Sequence, residues 1–348
     1  MKTFREINCK NILLNNSGYQ KNENPDVSVI ITVYNQANCF YGALRSVQNQ
    51  SLKNIEIIII DDCSLDNTTE LIESYIKEDN RIIYLRHESN DGKIKSRSDG
   101  VRISKGKYIT IIDGDDALSN ENILYHCFTI ANLADLDVVE FRHSLFKRKN
   151  FISLNLIYQP ELAFKFVDLT ENDSITGFAN RNIWAKLIKN EIFKNVLKYI
   201  GPKYTEDYLL DYEDTIMSVS LFRVAKSYYY MDECGYYRAR EECEYPFPQL
   251  KFKKCKSKNF PINIKLDSMK YLNFLLDSSK GKEIENNLIY KELVAVNHYK
   301  KLDILVYSNL SYIYSIIDRI EKLNFTSVKR KRKISKIKYK LSKNNITK

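Results

Sequence analysis

Glycine and proline are scarce in this chain, ten and six among 348 residues, which excludes collagen-like and low-complexity architectures. No uninterrupted apolar run approaches the ~20 residues needed to span a bilayer. The first residues, Met1 to Asn11, hold no apolar segment of the roughly 7–15 residues found in a secretory leader. The seven cysteines (Cys9, Cys39, Cys63, Cys127, Cys234, Cys243 and Cys255) form no C-x-x-C pair and no zinc spacing. Their odd number and scatter lead to the expectation of a reducing, cytoplasmic compartment. The four histidines (His87, His126, His143 and His298) lack metal-ligand spacing and read as structural or surface residues. There is no G-x-G-x-x-G, no G-x-x-x-x-G-K-[ST], no G-x-S-x-G and no H-E-x-x-H. A dinucleotide dehydrogenase, a P-loop nucleotidase and an α/β-hydrolase are therefore disfavoured.

Excess charge is missing from the body of the chain as well. The net charge is +10, yet the last twenty residues hold ten Lys/Arg and no acid, leaving 44 basic against 44 acidic residues before them. A nucleic-acid-binding core would carry basic patches within the fold, so no nucleic-acid partner is expected. Within the tail, Ile334, Ile337 and Leu341 would share one helical face among cations. That pattern makes 329–348 a candidate for peripheral contact with an anionic membrane surface.

What is present is a run of short, β-branched, wholly apolar segments alternating with helical spacing. Val27–Val33, Ile55–Ile60, Arg81–Leu85, Tyr108–Ile112 and Val138–Phe141 read as strands. Ala37–Gln50, the stretch after Asp66, Ile94–Ser104 and Glu121–Asn132 read as the helices between them. Such alternation predicts an α/β fold with a mostly parallel sheet flanked by helices, whose ligands bind beyond the carboxyl ends of the strands. Further on, Phe151–Ile157 reads as extended, and Tyr228–Tyr230 and Tyr236–Tyr237 as short strands. Asn182–Val196, Glu213–Val224, Leu266–Leu276, Glu283–Leu302 and Ile304–Leu323 read as helices. The expected organisation is a polar lead-in over 1–25, an α/β part over 26–145 and a second half of the same domain over 146–245. A helical extension over 246–328 and a basic tail over 329–348 follow.

Two acidic clusters fall at strand ends, Asp61-Asp62-Cys63-Ser64-Leu65-Asp66 and Asp113-Gly114-Asp115-Asp116. Asp66 alone could be a helix cap. Three carboxylates within four residues repel one another unless a cation sits among them, and Mg²⁺ favours one or two carboxylates together with phosphate oxygens.

Val27–Asp116 resembles the nucleotide-sugar-binding domain of the family 2 glycosyltransferases, which have the GT-A fold. The resemblance rests on Thr32-Val33-Tyr34-Asn35, the Asp61–Asp66 cluster, Asn90-Asp91-Gly92, Arg97-Ser98-Asp99-Gly100 and Asp113-Gly114-Asp115-Asp116, in order and spacing. Weaker agreement runs through Trp184-Ala185-Lys186-Leu187, an acceptor-side helix in the family pattern. It continues through Tyr212-Glu213-Asp214 and Gly235-Tyr236-Tyr237-Arg238. The resemblance implies that Thr32 and Tyr34 line the nucleoside pocket and that Asp62, with Asp61, bonds the base or ribose. It implies that Arg97 approaches the diphosphate or sugar, and that Asp113 and Asp115 hold Mn²⁺ or Mg²⁺ as a D-x-D unit. Glu213-Asp214 would supply the general base through Asp214, with Asp207 as a rival. The activity implied is an inverting, metal-dependent, hexosyltransferase-type transfer in glycan or polysaccharide synthesis. The donor would be a nucleotide sugar, a UDP-sugar first, and the acceptor a glycan, lipid-linked or protein hydroxyl.

Thr32 stands where the family usually has proline and Ser98 where it usually has asparagine, which leaves the donor sugar open. Trp184 reads equally as core anchor and acceptor platform. Two further readings stay open: a nucleotidyltransferase using an acidic metal site on a similar sheet, and a non-catalytic nucleotide-sugar-fold binding protein.

Overall fold

The computed structural model describes residues 12–15, 24–146, 166–168, 182–209, 212–239, 263–278, 310–323 and 331–336. It divides into two compact units. The first takes Met1–Asn172, Asn180–Tyr208 and Met217–Lys256, and the second Asp173–Ala179, Leu209–Ile216 and Ser257–Lys348.

The first unit is built on one ten-stranded mixed sheet. At its centre lie β2 (Val27–Val33), β3 (Ile55–Asp61), β4 (Ile82–Arg86) and β5 (Tyr108–Asp113), all parallel, in the spatial order β4-β3-β2-β5. Every residue of β2 and β3 is buried, as expected for strands covered on both faces. The covers are α1 (Phe40–Gln48), α2 (Thr68–Glu78), α3 (Lys93–Ile103) and α4 (Ile123–Leu133). Phe40, Leu44 and Val47 of α1 and Ile72, Tyr75 and Ile76 of α2 join the strand side chains in one core. These elements agree with the sequence reading to within three residues at each end.

Other strands depart from it. Ile12–Asn15, inside the polar lead-in, forms β1 and pairs antiparallel with β4. Asn182–Val196 is not one helix. Residues 182–185 bend, with Ala185 at φ 57°, and Lys186–Lys189 forms β9 before α5 (Asn190–Ile200) begins. The W-x-K-L stretch expected to be helical therefore leads into a strand. Lys186–Lys189 pairs antiparallel with both β5 and β7 (Val138–Phe146), and that slot between two buried strands overrides its helical spacing. The two short tyrosine strands are one, β10 (Ser227–Ala239), parallel to β7 with register shifts after Met231 and after Cys234. Those bulges broke the alternation that would have shown its length. Two small strands complete the sheet, β6 (Ala117–Leu118) and β8 (Phe166–Asp168), both antiparallel to β10. The short helix α6 (Pro202–Thr205) follows α5, and α7 runs from Glu213 to Val224.

The second unit pairs α8 (Asn263–Ser278) with α9 (Leu310–Glu321). Tyr271, Leu272, Phe274 and Leu275 of α8 and Ile316, Ile317 and Ile320 of α9 are buried. Arg319 Nη1 donates to Asn273 Oδ1 at 2.6 Å, and its Nη2 meets Asp277 at 2.8 Å. Residues 331–336 form a helical turn with Ile334 1% exposed and its basic neighbours in solvent. The expected Phe151–Ile157 strand and Glu283–Leu302 helix lie outside the described residues, as do Ile337 and Leu341.

Candidate active site

Parallel alignment places the carboxyl ends of the four central strands side by side. Thr32 of β2 stands opposite Asp113 of β5, Val33 opposite Asp61 of β3, and Asp61 opposite Arg86 of β4. The expected donor-side residues thus share one rim, where ligands of open α/β sheets bind.

The β2 exit and the Asp61–Asp66 segment are stitched together. Asn35, at φ 51°, donates its N–H to Ser64 Oγ at 3.0 Å and accepts the Leu65 N–H at 2.7 Å. The N–H of Gln36 reaches Thr68 Oγ1 at 2.9 Å and that of Ala37 reaches Asp66 Oδ2 at 3.2 Å. This lattice leaves the Tyr34 side chain 40% exposed beside the rim, while Thr32 is buried.

The two carboxylates at the end of β3 face different tasks. Asp61 is fully buried and accepts from Ser64 N–H (2.8 Å), Thr69 Oγ1 (3.0 Å) and Tyr84 Oη (2.9 Å). Burial, and then the Asp61 charge, push the Tyr84 hydroxyl well above its ordinary pKa. Asp62 accepts His87 Nδ1 (2.9 Å) and the N–H groups of Asp91 and Gly92 (2.8 Å each). Those contacts hold the 87–92 turn and the start of α3.

From α3, Arg97 reaches across a fully buried position to donate to Asp113 Oδ1 at 2.8 Å, and the half-exposed Lys93 lies 3.8 Å from Asp113 Oδ2. Burial alone would raise the Asp113 carboxyl, but Lys93, Arg97 and Arg238 outweigh it and hold Asp113 well below the usual range. Gly114 donates its N–H to the Thr32 carbonyl (3.0 Å). A Cβ there would lie 2.6 Å from Val33 Cγ1, so only glycine lets this turn close against β2. Tyr236 of β10 donates its hydroxyl to Asp116 Oδ2 (2.7 Å) and accepts the Asp113 N–H (3.2 Å). Its ring stacks on Trp184 at 4.8 Å, and Arg238 lies over the other aromatic of that pair, 5.7 Å from the Trp184 centroid. Trp184 is 2% exposed, which makes it a core anchor bracing the acidic turn.

Asp113, Asp115 and Asp116 each present a carboxylate oxygen, and those oxygens lie within 4.8 Å of one another. Clustered hard oxygen donors of this kind suit Mg²⁺ or Mn²⁺. With Lys93, Arg97 and Arg238 nearby, the rim combines a metal-type acidic cluster with cations able to bind phosphate oxygens.

Glu213 and Asp214 open α7, Glu213 buried and Asp214 half-buried. The preceding Tyr212 has φ 70° and stacks on Tyr271 at 5.2 Å. Asp207 is half-buried in the segment after α6, and its neighbour Glu206 is engaged by Lys95 (3.1 Å) and Arg102 (2.8 Å) of α3. Sequence reasoning missed His87 and Lys93 as parts of the rim. The run of lysines before Arg97 hinted at Lys93. Nothing in linear spacing singled out His87, whose partners are 25 and 12 positions away.

Comparison with known proteins fits this geometry. The family model for glycosyl transferase family 2 matches residues 28–186. Among curated relatives, the glycosyltransferase GlyG of Streptococcus pneumoniae is 34% identical over 113 residues, 32% of this chain and 37% of GlyG. The uncharacterized glycosyltransferase EpsJ of Bacillus subtilis is 29% identical over 226 residues, 62% of this chain and 61% of EpsJ. The chain therefore spans less than two thirds of the length of these relatives. The crystal structure of S. aureus TarS 1–349 in complex with UDP-GlcNAc superposes with a TM-score of 0.65 at 17% identity, covering 92% of this chain and 89% of that one. A shared fold at that identity, with the strand-end motifs and the family match, leads to one conclusion: residues 28–186 of this chain are similar to glycosyl transferase family 2, on the GT-A fold seen in TarS.

Proposed function

We propose that this protein transfers a sugar from a nucleoside-diphosphate sugar, a UDP-sugar, to an acceptor hydroxyl, with inversion at the anomeric carbon. The observation that carries the reading is the single rim holding Thr32, Asp62, Arg97 and the Asp113–Asp116 turn. The binding of UDP-GlcNAc by TarS supports the choice of donor.

In this reading Thr32 and Tyr34 border the nucleoside and Asp61 and Asp62 shape its pocket. Arg97 and Lys93 face the diphosphate. Asp115 and Asp113 are the residues that would hold Mn²⁺ or Mg²⁺, which supplies charge neutralisation to a departing diphosphate. Asp214, with Glu213 beside it, is the general base. It stands in the first turn of α7. It takes the acceptor hydroxyl proton as that oxygen bonds to the anomeric carbon. The bond from that carbon to the diphosphate oxygen breaks, and the nucleotide leaves with the electron pair. One displacement inverts the centre.

The acceptor is a glycan, a lipid-linked sugar or a protein hydroxyl, and the basic 329–348 segment supplies peripheral attraction to an anionic membrane surface. The part over 26–145 handles the donor and that over 146–245 the acceptor. The test is nucleoside-diphosphate release from UDP-, GDP- and dTDP-sugars, with Mn²⁺ or with chelator, followed by NMR of the anomeric product. No release from any donor, or retention in the product, overturns this reading.

A further inference from the structure

Asp62 and Asp99 sit on different elements, one at the end of β3 and the other in the second turn of α3, and a single imidazole joins them. His87 is 2% exposed. Its Nδ1 is 2.9 Å from Asp62 Oδ1 and its Nε2 is 3.2 Å from Asp99 Oδ2. Nδ1 hydrogen-bonds Asp62, while Nε2 meets Asp99 as an ion pair without hydrogen-bond geometry, and a carboxylate facing each ring nitrogen favours the imidazolium, the form with a proton on both. Burial works against that charge, but the two aspartates prevail and raise the His87 pKa to about 9. The charged groups facing the ring are Asp62 from β3 and Asp99 from α3. Lys95 and Arg102 touch Asp99 at 2.6 Å each and tie it to Glu206, and Asp91 lies on the ring's own loop.

The consequence for the rim is mechanical. The Asp62 oxygen that accepts His87 also accepts the Asp91 N–H, and its other oxygen accepts the Gly92 N–H. Gly92, at φ 87°, is the residue from which α3 starts. Lys93 and Arg97, one turn apart on that helix, both point to Asp113. We propose that His87, by bridging Asp62 and Asp99, is the positioning residue that sets the start of α3, and with it Lys93 and Arg97, for the donor diphosphate. Losing the bridge unpins α3 at both contacts while every residue that touches the donor remains.

This rests on the nucleotide-sugar reading, and the experiment separates the two. The affinity of the full chain for UDP, GDP and dTDP with Mg²⁺ is measured by calorimetry from pH 7 to pH 9.5. The His87 imidazole is titrated by NMR, assigned by its loss in His87→Gln. Wild type is expected to bind at least one nucleotide, to show His87 titrating near 9, and to lose affinity in step with that titration. His87→Gln should bind about 10-fold or more weakly at pH 7, the scale of one charge-assisted hydrogen bond. It should also lose the alkaline fall. Asp99→Asn, outside the pocket, should lower the His87 pKa and move the fall in affinity to lower pH. An imidazole titrating at or below its ordinary value in wild type overturns the proposal, whether or not the variants fold. So does nucleotide affinity that is unchanged in a folded His87→Gln protein. Failure of wild type to bind any of the three nucleotides overturns the donor reading itself.

Discussion

Gly114 shows how little freedom the acidic turn has. The pro-S hydrogen that an L-alanine side chain would replace points at Val33 Cγ1 and the Thr32 carbonyl, 2.6 and 3.0 Å from a built Cβ. Gly114→Ala is expected to cost about 1–3 kcal/mol of stability, read by denaturant unfolding, and to weaken Mn²⁺-dependent nucleotide binding as Asp113 and Asp115 shift. Asp115→Ala removes a half-buried carboxylate. It should abolish transfer and metal-dependent donor binding with the melting temperature nearly unchanged, and undiminished transfer in Mn²⁺ would remove Asp115 from the metal set. Asp214→Asn should leave donor binding intact and lower kcat by about 10²–10⁴-fold, the range of a general base. If Asp207→Asn showed that loss and Asp214→Asn none, the base would be Asp207. At this scale the carboxylates were legible in the sequence, because acids at the ends of apolar runs are conspicuous. Their partners were not. Tyr236 reaches Asp116 from 120 positions away, and no local pattern encodes that bond.

Among the elements, α3 and the strands it covers govern both stability and pH response. Gly100 of α3 lies so close to Ile30 of β2 that a Cβ would sit 2.6 Å from Ile30 Cγ2, and this close approach is how α3 carries Arg97 to the rim. Two histidines set opposite pH limbs. His143, beside Trp184, is pushed down to about 4 by burial and by the charges of Lys186 and Arg238. Between pH 4 and the unfolded value of about 6.5 the unfolded chain binds the extra proton, so stability rises with pH. His87 is raised to about 9. Between about 6.5 and 9 the folded chain binds the extra proton, so that contribution is complete below 6.5 and is lost as pH rises through 9. Melting temperature against pH is therefore expected to peak near neutrality, with His87→Gln flattening only the alkaline limb. A flat wild-type profile from pH 7 to 9.5 would contradict the ion bridge. The central β-α alternation was legible because burial on both faces writes itself as an unbroken β-branched run. Lys186–Lys189 was not, since its strand state comes from the gap between β5 and β7 that it fills.

For the whole molecule, charge is the feature that reaches beyond the fold. The body is neutral and the last twenty residues carry the entire excess. Within them Ile334 is buried, and the exposed side chains of 331–336 are Lys331, Arg332, Lys333, Ser335 and Lys336. Over that turn, contact with an anionic surface would be made by cations rather than by an inserted apolar face. Each cation near such a surface contributes about 1 kcal/mol, screened within a Debye length. The full chain should float with vesicles containing anionic lipid at low salt and release at high salt, and a chain ending at Val328 should not float. Equal flotation of both, or of neither, would end the tail's role. Among the described residues no helix is long and apolar enough to cross a membrane.

The sequence by itself determined the parallel β-α core, the rim on which its acids lie, and the resemblance carried by the motifs there. Those properties follow from runs of a few residues whose period and apolarity are local. Only the tertiary structure decided that Asp62 is held by His87, that Trp184 is a brace behind the acidic turn, and that Lys186–Lys189 is a strand. Each of these depends on side chains or strands brought together from distant parts of the chain, where burial makes a specific partner obligatory and nearby residues carry no trace of it.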